Sequence, residues 1–342
     1  MHRRSPLISV VIPAHNVAET LDPCLKALES QTLTGGRYEV IVVDDGSTDA
    51  TAEIARRHES VVLLCQPHKG AAAARNLGAR QARGAIILFT DADCVPSPDW
   101  IEAMSAPFAD DQVTGVGGVI RTRQRGLVPR FIQLEYDDRY EKIAKHPSID
   151  LISTGTAGFR RDLFLESGGF REDLLGAEDA ELSFRLASGG HKMVFVPQAT
   201  VYHSHPESLL EYAWRKYTYG YWRLMVYLGH PRKAIVDSRT PQTQKVQIGL
   251  LFLLAVAALG AIFWRGIIWL AGGLLALFLL TALPFWWKSV RRDIVVGAFL
   301  PLLLLVGTAS VATGLAAGLV SYGIQEMIRG SGGGAQAASP DP

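Results

Sequence analysis

The chain has 342 residues, 20% of them charged, and its formal net charge is only +1. This balance gives no general electrostatic attraction for nucleic acid, so a nucleic-acid partner is not expected. The three cysteines lie far apart in the sequence, which argues against a disulfide framework and against a zinc site. No long apolar run follows the basic first nine residues, so no signal peptide is predicted.

The first 90 residues alternate short apolar runs with segments of helical periodicity. The predicted strands are residues 9–13, 40–43, 61–64 and 85–90, and the predicted helices are residues 17–31, 51–58 and 71–83. Strands that alternate with helices of this length predict an α/β domain with a mostly parallel, Rossmann-like sheet. Ligands of such folds bind beyond the carboxyl ends of the strands, so we expect function near residues 13–16, 44–47 and 91–93.

Acidic residues follow two of these strands. Asp91 and Asp93 end an apolar run, and two residues so spaced on an extended chain point the same way. Such a pair suits a divalent cation with oxygen ligands, the usual partner of a diphosphate. Helix capping accounts for one of Asp44 and Asp45, and Asp44 is better suited to a uracil edge or a ribose. No glycine-rich phosphate loop follows the first strand, which argues against a dinucleotide oxidoreductase or a kinase.

The C-terminal part is overwhelmingly apolar and predicts a multi-pass membrane protein. Three spans are predicted, at residues 246–264, 266–287 and 294–324. The basic residues that flank these spans are Arg232, Lys233, Arg239 and Lys245 before the first, Arg265 after it, and Lys288, Arg291 and Arg292 before the third. Their excess beside the N-terminal domain predicts that this domain is cytoplasmic. Residues 325–342 are rich in Gly, Ala, Ser and Pro and predict a disordered tail.

Residues 206–245 mix aromatic and basic side chains just before the first span. Such mixtures can stack nucleic acid, but the position next to the spans favours an amphipathic helix in the membrane interface. A helix there would contact membrane lipid and hold the N-terminal domain close to the membrane surface.

Several motifs, in this order and spacing, resemble the family 2 glycosyltransferases. They are VVIPAHN at 10–16, VVDDGSTD at 42–49, residues 70–78 with Ala74-Arg75-Asn76, LFTDAD at 88–93, GTAGFRR at 155–161, GGF at 168–170 and GAEDAEL at 176–182. The resemblance covers most of residues 7–205 and implies a GT-A fold for a domain at residues 1–205. It also implies transfer of a sugar from a nucleotide sugar, with inversion at the anomeric carbon.

The resemblance implies roles for individual residues. Those implied to bind the donor are Pro13, Ala14, Asn16, Asp44, Asp45, Arg75 and Asp91. Asp93 and Asp91 are implied to hold Mn²⁺ or Mg²⁺, with either His203 or His205 as a further ligand. Asp179 is implied as the catalytic base, with Glu178 beside it. Two simpler interpretations remain open: Arg75 as a helix-surface residue, and the Glu178–Asp179 pair as residues favoured by a helix dipole.

The predicted function is a membrane-anchored, metal-assisted inverting glycosyltransferase. Its donor would be a UDP- or GDP-sugar, and its acceptor a lipid-linked or cell-envelope glycan. A processive polysaccharide synthase is an alternative, but residues 219–223 read YGYWR where those synthases usually carry Gln-x-x-Arg-Trp. A membrane scaffold that binds the donor without turnover is a further alternative. It would not need all six of the acidic residues named above, which are Asp44, Asp45, Asp91, Asp93, Glu178 and Asp179. A transporter should carry intramembrane polar residues, which these spans nearly lack.

Overall fold

The structure is a computed structural model that describes residues 8–33, 37–238 and 240–332. Within these ranges, its strands are β1 (Ile8–Ala14), β2 (Tyr38–Asp44), β3 (Val61–Cys65), β4 (Ile86–Phe89), β5 (Cys94–Pro96), β6 (Val113–Arg121), β7 (Ala157–Arg160) and β8 (Lys192–His203). The helices of the same domain are α1 (Ala18–Glu29), α2 (Thr51–Arg57), α3 (Ala71–Gln81), α4 (Trp100–Ser105), α5 (Leu127–Ile143), α6 (Arg161–Glu166) and α7 (Glu178–Ser188). The strands and helices predicted in the first 90 residues are confirmed, with ends that differ by at most two residues.

The strands form one sheet in the order β3-β2-β1-β4-β7-β6-β8-β5. The part built from β1 to β4 is parallel, as predicted. Beyond β4 the sheet is mixed, because β7 runs antiparallel to both β4 and β6, and β5 runs antiparallel to β8. The α/β fold class is therefore confirmed, and the mixed half lies outside the region where the sequence alternates regularly between strand and helix.

Helix α3 lies very close to the sheet. A side chain at Gly78 would overlap Val11 of β1, so only glycine allows this approach. Strands β1 and β4 are buried along their whole lengths, as central strands covered on both faces are. The close packing holds Arg75, one turn before Gly78, beside the carboxyl ends of these strands.

The remaining helices are α8 (Leu209–Gly229), α9 (Pro231–Ile235), α10 (Gln242–Phe263), α11 (Ile267–Arg292) and α12 (Ile294–Gly332). Residues 242–263, 267–292 and 294–324 are helices long and apolar enough to cross a membrane, in agreement with the three predicted spans. Helix α12 continues to Gly332, so the tail predicted from residue 325 does not begin there. The rest of that tail, residues 333–342, lies outside the described residues.

Helix α8, predicted in the membrane interface, packs along α12. A side chain at Gly314 would overlap the carbonyl oxygen of Tyr217, and one at Gly318 would lie 3.0 Å from the carbonyl oxygen of Tyr221. The hydroxyl of Tyr221 also lies 3.0 Å from that of Ser321, within hydrogen-bond distance. On its other side, α8 packs against α7 in a cluster with buried Phe184 and Val226, among others. Helix α8 therefore lies between the α/β domain and the last apolar helix.

Ion pairs join the α/β domain to the break between α11 and α12. Arg130 of α5 contacts Asp293 at 2.7 Å. Lys288 contacts Asp138 at 2.8 Å and Glu141 at 2.6 Å. The end of α11 and the start of α12 therefore lie on the side of the α/β domain, and α10 and α11 form a hairpin that leads away from this domain and back.

Candidate active site

The candidate donor residues lie where β1 and β2 end side by side. Ala14 pairs with Asp44 in the strand register, and Pro13 is buried in β1. Asn16 has a φ of 52° and donates its backbone N–H to the Ser47 hydroxyl at 3.0 Å. The N–H of Ser47 in turn donates to Asp44 Oδ1 at 3.2 Å. These bonds tie the two strand-end loops together around Asp44.

Asp45 holds the loop that precedes α3. Its carboxylate accepts hydrogen bonds from Gln66 Nε2 at 2.6 Å and from the N–H groups of Lys69 and Gly70 at 2.9 and 2.8 Å. Burial favours the neutral acid, but these hydrogen bonds outweigh it, so the pKa of Asp45 lies below its ordinary value. The geometry thus gives Asp45 an organising role in the loop, whereas the Asp44 carboxylate accepts a hydrogen bond from Ser47 in the following turn.

Two imidazoles that were not predicted stand beside Asp45. The rings of His15 and His68 stack with centroids 4.1 Å apart. His68 Nδ1 lies 2.9 Å from Asp45 Oδ2, and His15 Nδ1 lies 2.8 Å from the Asp45 carbonyl oxygen. His15 belongs to the VVIPAHN motif, which was a usable signal, whereas no motif marked His68.

Arg75 is buried between two carboxylates. Its Nη2 donates to Asp91 Oδ1 at 2.6 Å and its Nη1 to Glu178 Oε1 at 2.8 Å, while only 5% of its side chain is exposed. The interpretation of Arg75 as a helix-surface residue is therefore wrong. Burial raises the pKa of Glu178 above its ordinary value even though the Arg75 charge opposes this shift.

His203, and not His205, reaches Asp93. His203 Nε2 lies 3.1 Å from Asp93 Oδ2, an approach set by the antiparallel pairing of Cys94 with His203 in β5 and β8. Burial would raise the pKa of Asp93, but the hydrogen bond and charge of His203 outweigh it and lower that pKa. The His205 ring packs edge-on against Tyr136 with centroids 5.2 Å apart.

A divalent cation fits Asp93 and His203 best among the predicted ligands. Asp91, Asp93 and Cys94 offer ligand atoms within 4.8 Å of one another. Burial raises the pKa of the Cys94 thiol well above its ordinary value, so this sulfur stays protonated and is a poor ligand. One oxygen of Asp91 accepts a hydrogen bond from Arg75, whereas Asp93 lies beside the imidazole of His203. Asp93 is therefore the better candidate to share a cation with a histidine.

Glu178 and Asp179 form the first turn of α7. The preceding residue, Ala177, has a φ of 62°, and this left-handed conformation turns the chain sharply into the helix. Asp179 Oδ1 accepts a hydrogen bond from the N–H of Ala180 at 2.7 Å. The dipole interpretation accounts for an acidic first turn but not for the bond between Glu178 and buried Arg75.

A cavity of about 570 Å³ connects these groups. Its lining includes Asp91, Glu178, Asp179 and His203 together with residues of α5 and α8. A space of this size is typical of ligand-binding clefts. The fold and the site together give an α/β domain whose strand-end carboxylates line a ligand-sized cleft.

Comparison with known proteins shows which family the N-terminal part is similar to. Residues 9–168 match the model of glycosyl transferase family 2. The chain is 33% identical to glycosyltransferase AglE of Haloferax volcanii over 198 residues, which are 56% of this chain and 64% of that protein. It is 38% identical to validoxylamine A glucosyltransferase of Streptomyces hygroscopicus over 228 residues, which are 55% and 53% of the two chains. The N-terminal part is thus similar to family 2 glycosyltransferases over residues 9–168.

A solved structure agrees with this fold. The mannosyltransferase PcManGT from Pyrobaculum calidifontis, in complex with GDP-Man and Mn²⁺, superposes with a TM-score of 0.59 at 23% identity. The match covers 92% of this chain and 88% of that one, so it includes the C-terminal helices. The alignments to the two curated relatives, in contrast, span less than two thirds of their own lengths.

Proposed function

We propose that the protein is a membrane-anchored inverting glycosyltransferase whose α/β domain is cytoplasmic. It would transfer one sugar from a UDP- or GDP-sugar to a lipid-linked or envelope-glycan acceptor. The observation that carries this proposal is one cavity whose lining includes Asp179 and His203 together with Trp214 and Arg215 of α8. A donor bound at the carboxylates and an acceptor reaching in past α8 would meet in this space.

In the proposed reaction, the acceptor oxygen bonds to the anomeric carbon from the face opposite the diphosphate. The bond between that carbon and the phosphate oxygen breaks, and its electron pair leaves with the nucleoside diphosphate. Asp179 takes the proton of the acceptor hydroxyl, because its side chain lines the same cavity. General-base help of this kind is worth about two to four orders of magnitude in rate.

Arg75 would orient the carboxylates for this step, since it holds Asp91 and Glu178 at once. Asp44 and Asn16 would hold the nucleoside at the ends of β1 and β2. Mn²⁺ or Mg²⁺ bound by Asp93 and His203 would supply positive charge that stabilises the leaving diphosphate.

The cytoplasmic orientation rests on charge and on contacts. Lys288 and Arg292 are basic residues of the kind that stay in the cytoplasm, and both contact Glu141 of the α/β domain. The domain and this break between spans therefore share one side of the membrane. A fluorescent reporter fused within the break, compared with one fused at Arg265, tests this orientation directly.

Release of nucleoside diphosphate tests the proposed function. Enzyme in lipid receives a panel of nucleotide sugars with Mn²⁺ or Mg²⁺, with a membrane lipid extract as the source of acceptor. We expect release from one donor, loss of that release in Asp93→Asn, and retention in Asp111→Asn, whose side chain is 99% exposed. No release from any donor, together with no donor binding by calorimetry, would refute the proposal.

A further inference from the structure

The cavity continues past the carboxylates toward the apolar helices. Beyond Asp179 its walls include Arg139 of α5, Arg215 of α8 and Gln244 at the start of α10. A smaller cavity of about 70 Å³ shares Arg139 and Gln244 with it and reaches Thr281 of α11 and Thr308 of α12. The two cavities are therefore adjacent, and the smaller one lies at the junction between the α/β domain and the three apolar helices.

Two guanidinium groups lie together on this path. Arg139 stacks over the ring of Tyr136, with its Cζ 5.2 Å from the ring centroid. Arg215 donates from Nη2 to the hydroxyl of the same tyrosine at 3.3 Å. The shared contact keeps both cations at one wall of the cavity.

These two cations have no ion-pair partner among the described residues, although Arg215 is exposed and its charge also acts on Asp93. Among the described residues, no carboxylate lies within ion-pair distance of Arg139 or Arg215, and the buried Nε of Arg139 makes no hydrogen bond. Their neighbour Lys216 differs, because Glu135 lies 2.9 Å from its ammonium. A positive charge in a partly enclosed space without a counter-ion favours an anionic ligand.

A third arginine adds positive charge at the same wall. Arg223 lines the cavity, and only 4% of its side chain is exposed. Its Nε and Nη2 are buried without a hydrogen-bond partner among the described residues, and its nearest carboxylate, that of Asp237, is 3.8 Å away. The guanidinium of Arg223 also lies over the rings of Phe184 and Tyr227, with its Cζ 4.9 and 5.1 Å from their centroids, so these rings and Asp237 together stabilise its charge.

Guanidinium groups recognise phosphates through paired N–H donors, which distinguishes them from the point charge of lysine. The donor diphosphate already has the cation site at Asp93. None of Pro13, Asn16, Asp44 and Asp45, all of which the structure describes, lines this cavity. An anion at Arg139 would also lie next to the apolar helices, because Arg139 lines the smaller cavity together with residues of α10, α11 and α12.

We propose that Arg139 and Arg215 bind a phosphoryl group that joins the acceptor glycan to its lipid. The lipid chain would lie toward α10, α11 and α12, and the acceptor hydroxyl would face Asp179. This inference rests on the proposed function and narrows its acceptor to a lipid phosphate or diphosphate.

Calorimetry in neutral detergent tests the site without a donor, with dodecyl phosphate as the probe and dodecanol as its uncharged counterpart. We expect dodecyl phosphate to bind at least tenfold more tightly than dodecanol. Arg139→Gln and Arg215→Gln should each weaken phosphate binding at least tenfold, and Arg139→Lys should weaken it less than Arg139→Gln does. The control Arg80→Gln removes the same charge from the exposed face of α3 and should leave binding unchanged.

Equal binding of the two probes, or wild-type affinity in Arg139→Gln, would overturn the inference. Inorganic phosphate binding as tightly as dodecyl phosphate would also overturn it, because the site would then serve free phosphate. UDP or GDP with Mn²⁺ should bind together with dodecyl phosphate. Displacement would assign the arginines to the donor instead.

Donor turnover measured on the same preparations separates the two proposals. Wild-type enzyme that releases nucleoside diphosphate but does not prefer dodecyl phosphate would refute only the phosphate site. Wild-type enzyme that prefers dodecyl phosphate but neither binds nor turns over any donor would refute the proposed function and leave the anion site standing. Unchanged donor binding in Arg139→Gln shows that this variant is folded.

Discussion

Arg75 joins Asp91 to Glu178 across the candidate active site, with hydrogen bonds of 2.6 and 2.8 Å. The two carboxylates are 16 and 103 residues away from it in the sequence. One guanidinium therefore ties the end of β4 to the first turn of α7, which carries the proposed base.

Replacing Arg75 by Gln should both destabilise the protein and abolish turnover. Loss of Arg75 leaves the partly buried carboxylates of Asp91 and Glu178 without their counter-ion, at a cost of about 1–3 kcal/mol in the free energy of unfolding. Thermal unfolding in detergent and donor turnover measure the two effects. Arg80→Gln, an exposed substitution on the same helix, is the control, and a fully active Arg75→Gln would exclude the organising role.

The two histidines at the end of β8 should respond differently to metal. His203→Gln removes the imidazole that contacts Asp93, so we expect half-activation to require at least about tenfold more Mn²⁺. His205→Phe keeps the ring packing against Tyr136 and should leave the Mn²⁺ requirement unchanged. Titration of activity with Mn²⁺ distinguishes them, and the opposite ranking would move the ligand to His205.

Asp179→Asn should retain the donor but lose transfer. The amide is nearly isosteric with the carboxylate and cannot take a proton, so turnover should fall by about two to four orders of magnitude. Donor binding by calorimetry should stay within about twofold of the wild type. If Glu178→Gln showed this pattern and Asp179→Asn kept full turnover, the base would be Glu178.

His205 should contribute to the loss of stability in acid. Burial, with help from the charges of His203 and Arg215, lowers the pKa of His205 to about 3. A histidine whose folded-state pKa is depressed stabilises the fold above its ordinary pKa of 6.5, and this stability is lost as the pH falls toward 3. As the pH is lowered from 6.5 toward 3, the unfolding temperature of His205→Phe should therefore decrease less than that of the wild type. An identical pH profile in wild type and variant would contradict this.

Contact between α8 and α12 should depend on Gly314. A methyl group there would overlap the Tyr217 carbonyl, so Gly314→Ala forces the two helices apart and should cost about 1–3 kcal/mol. Gly272→Ala is a matched control in α11, because nothing lies within 4 Å of its added carbon. Thermal unfolding and donor turnover of both variants test this, and equal stability would refute the tight packing.

Local patterns were sufficient to predict the parallel half of the sheet and the three apolar helices. Strand and helix periods and the length of apolar runs are properties of neighbouring residues, which explains why the ends were accurate for β1 to β4. The partners of Arg75 could not be predicted from the sequence, because they depend on how α3 and α7 pack in the folded protein. The choice between His203 and His205 likewise required the register of β5 on β8.

Residues 44 and 45 illustrate the same limit within one motif. The two adjacent carboxylates look equivalent in sequence, but Asp45 binds the backbone of Lys69 and Gly70, which lie 24 and 25 residues later.

Helix α8 is a further case in which distant residues decide the structure. Its aromatic and basic composition predicted a membrane interface, whereas the glycines of α12 that bring the two helices together lie about a hundred residues away.

The packing of α8 on α12 bears on how the enzyme can be produced for experiment. A soluble fragment ending before α10 would keep every proposed catalytic carboxylate. It would, however, expose the face of α8 around Gly220, which packs against Val311 of α12 in the whole chain. Trp214 and Trp222, which help to form the wall of the cavity, sit on that unsupported helix. The truncated fragment would then contain the catalytic groups but lack the support that α12 gives to the cavity wall formed by α8. Crystallisation and assays should therefore begin with a chain that retains α12, in detergent or nanodiscs.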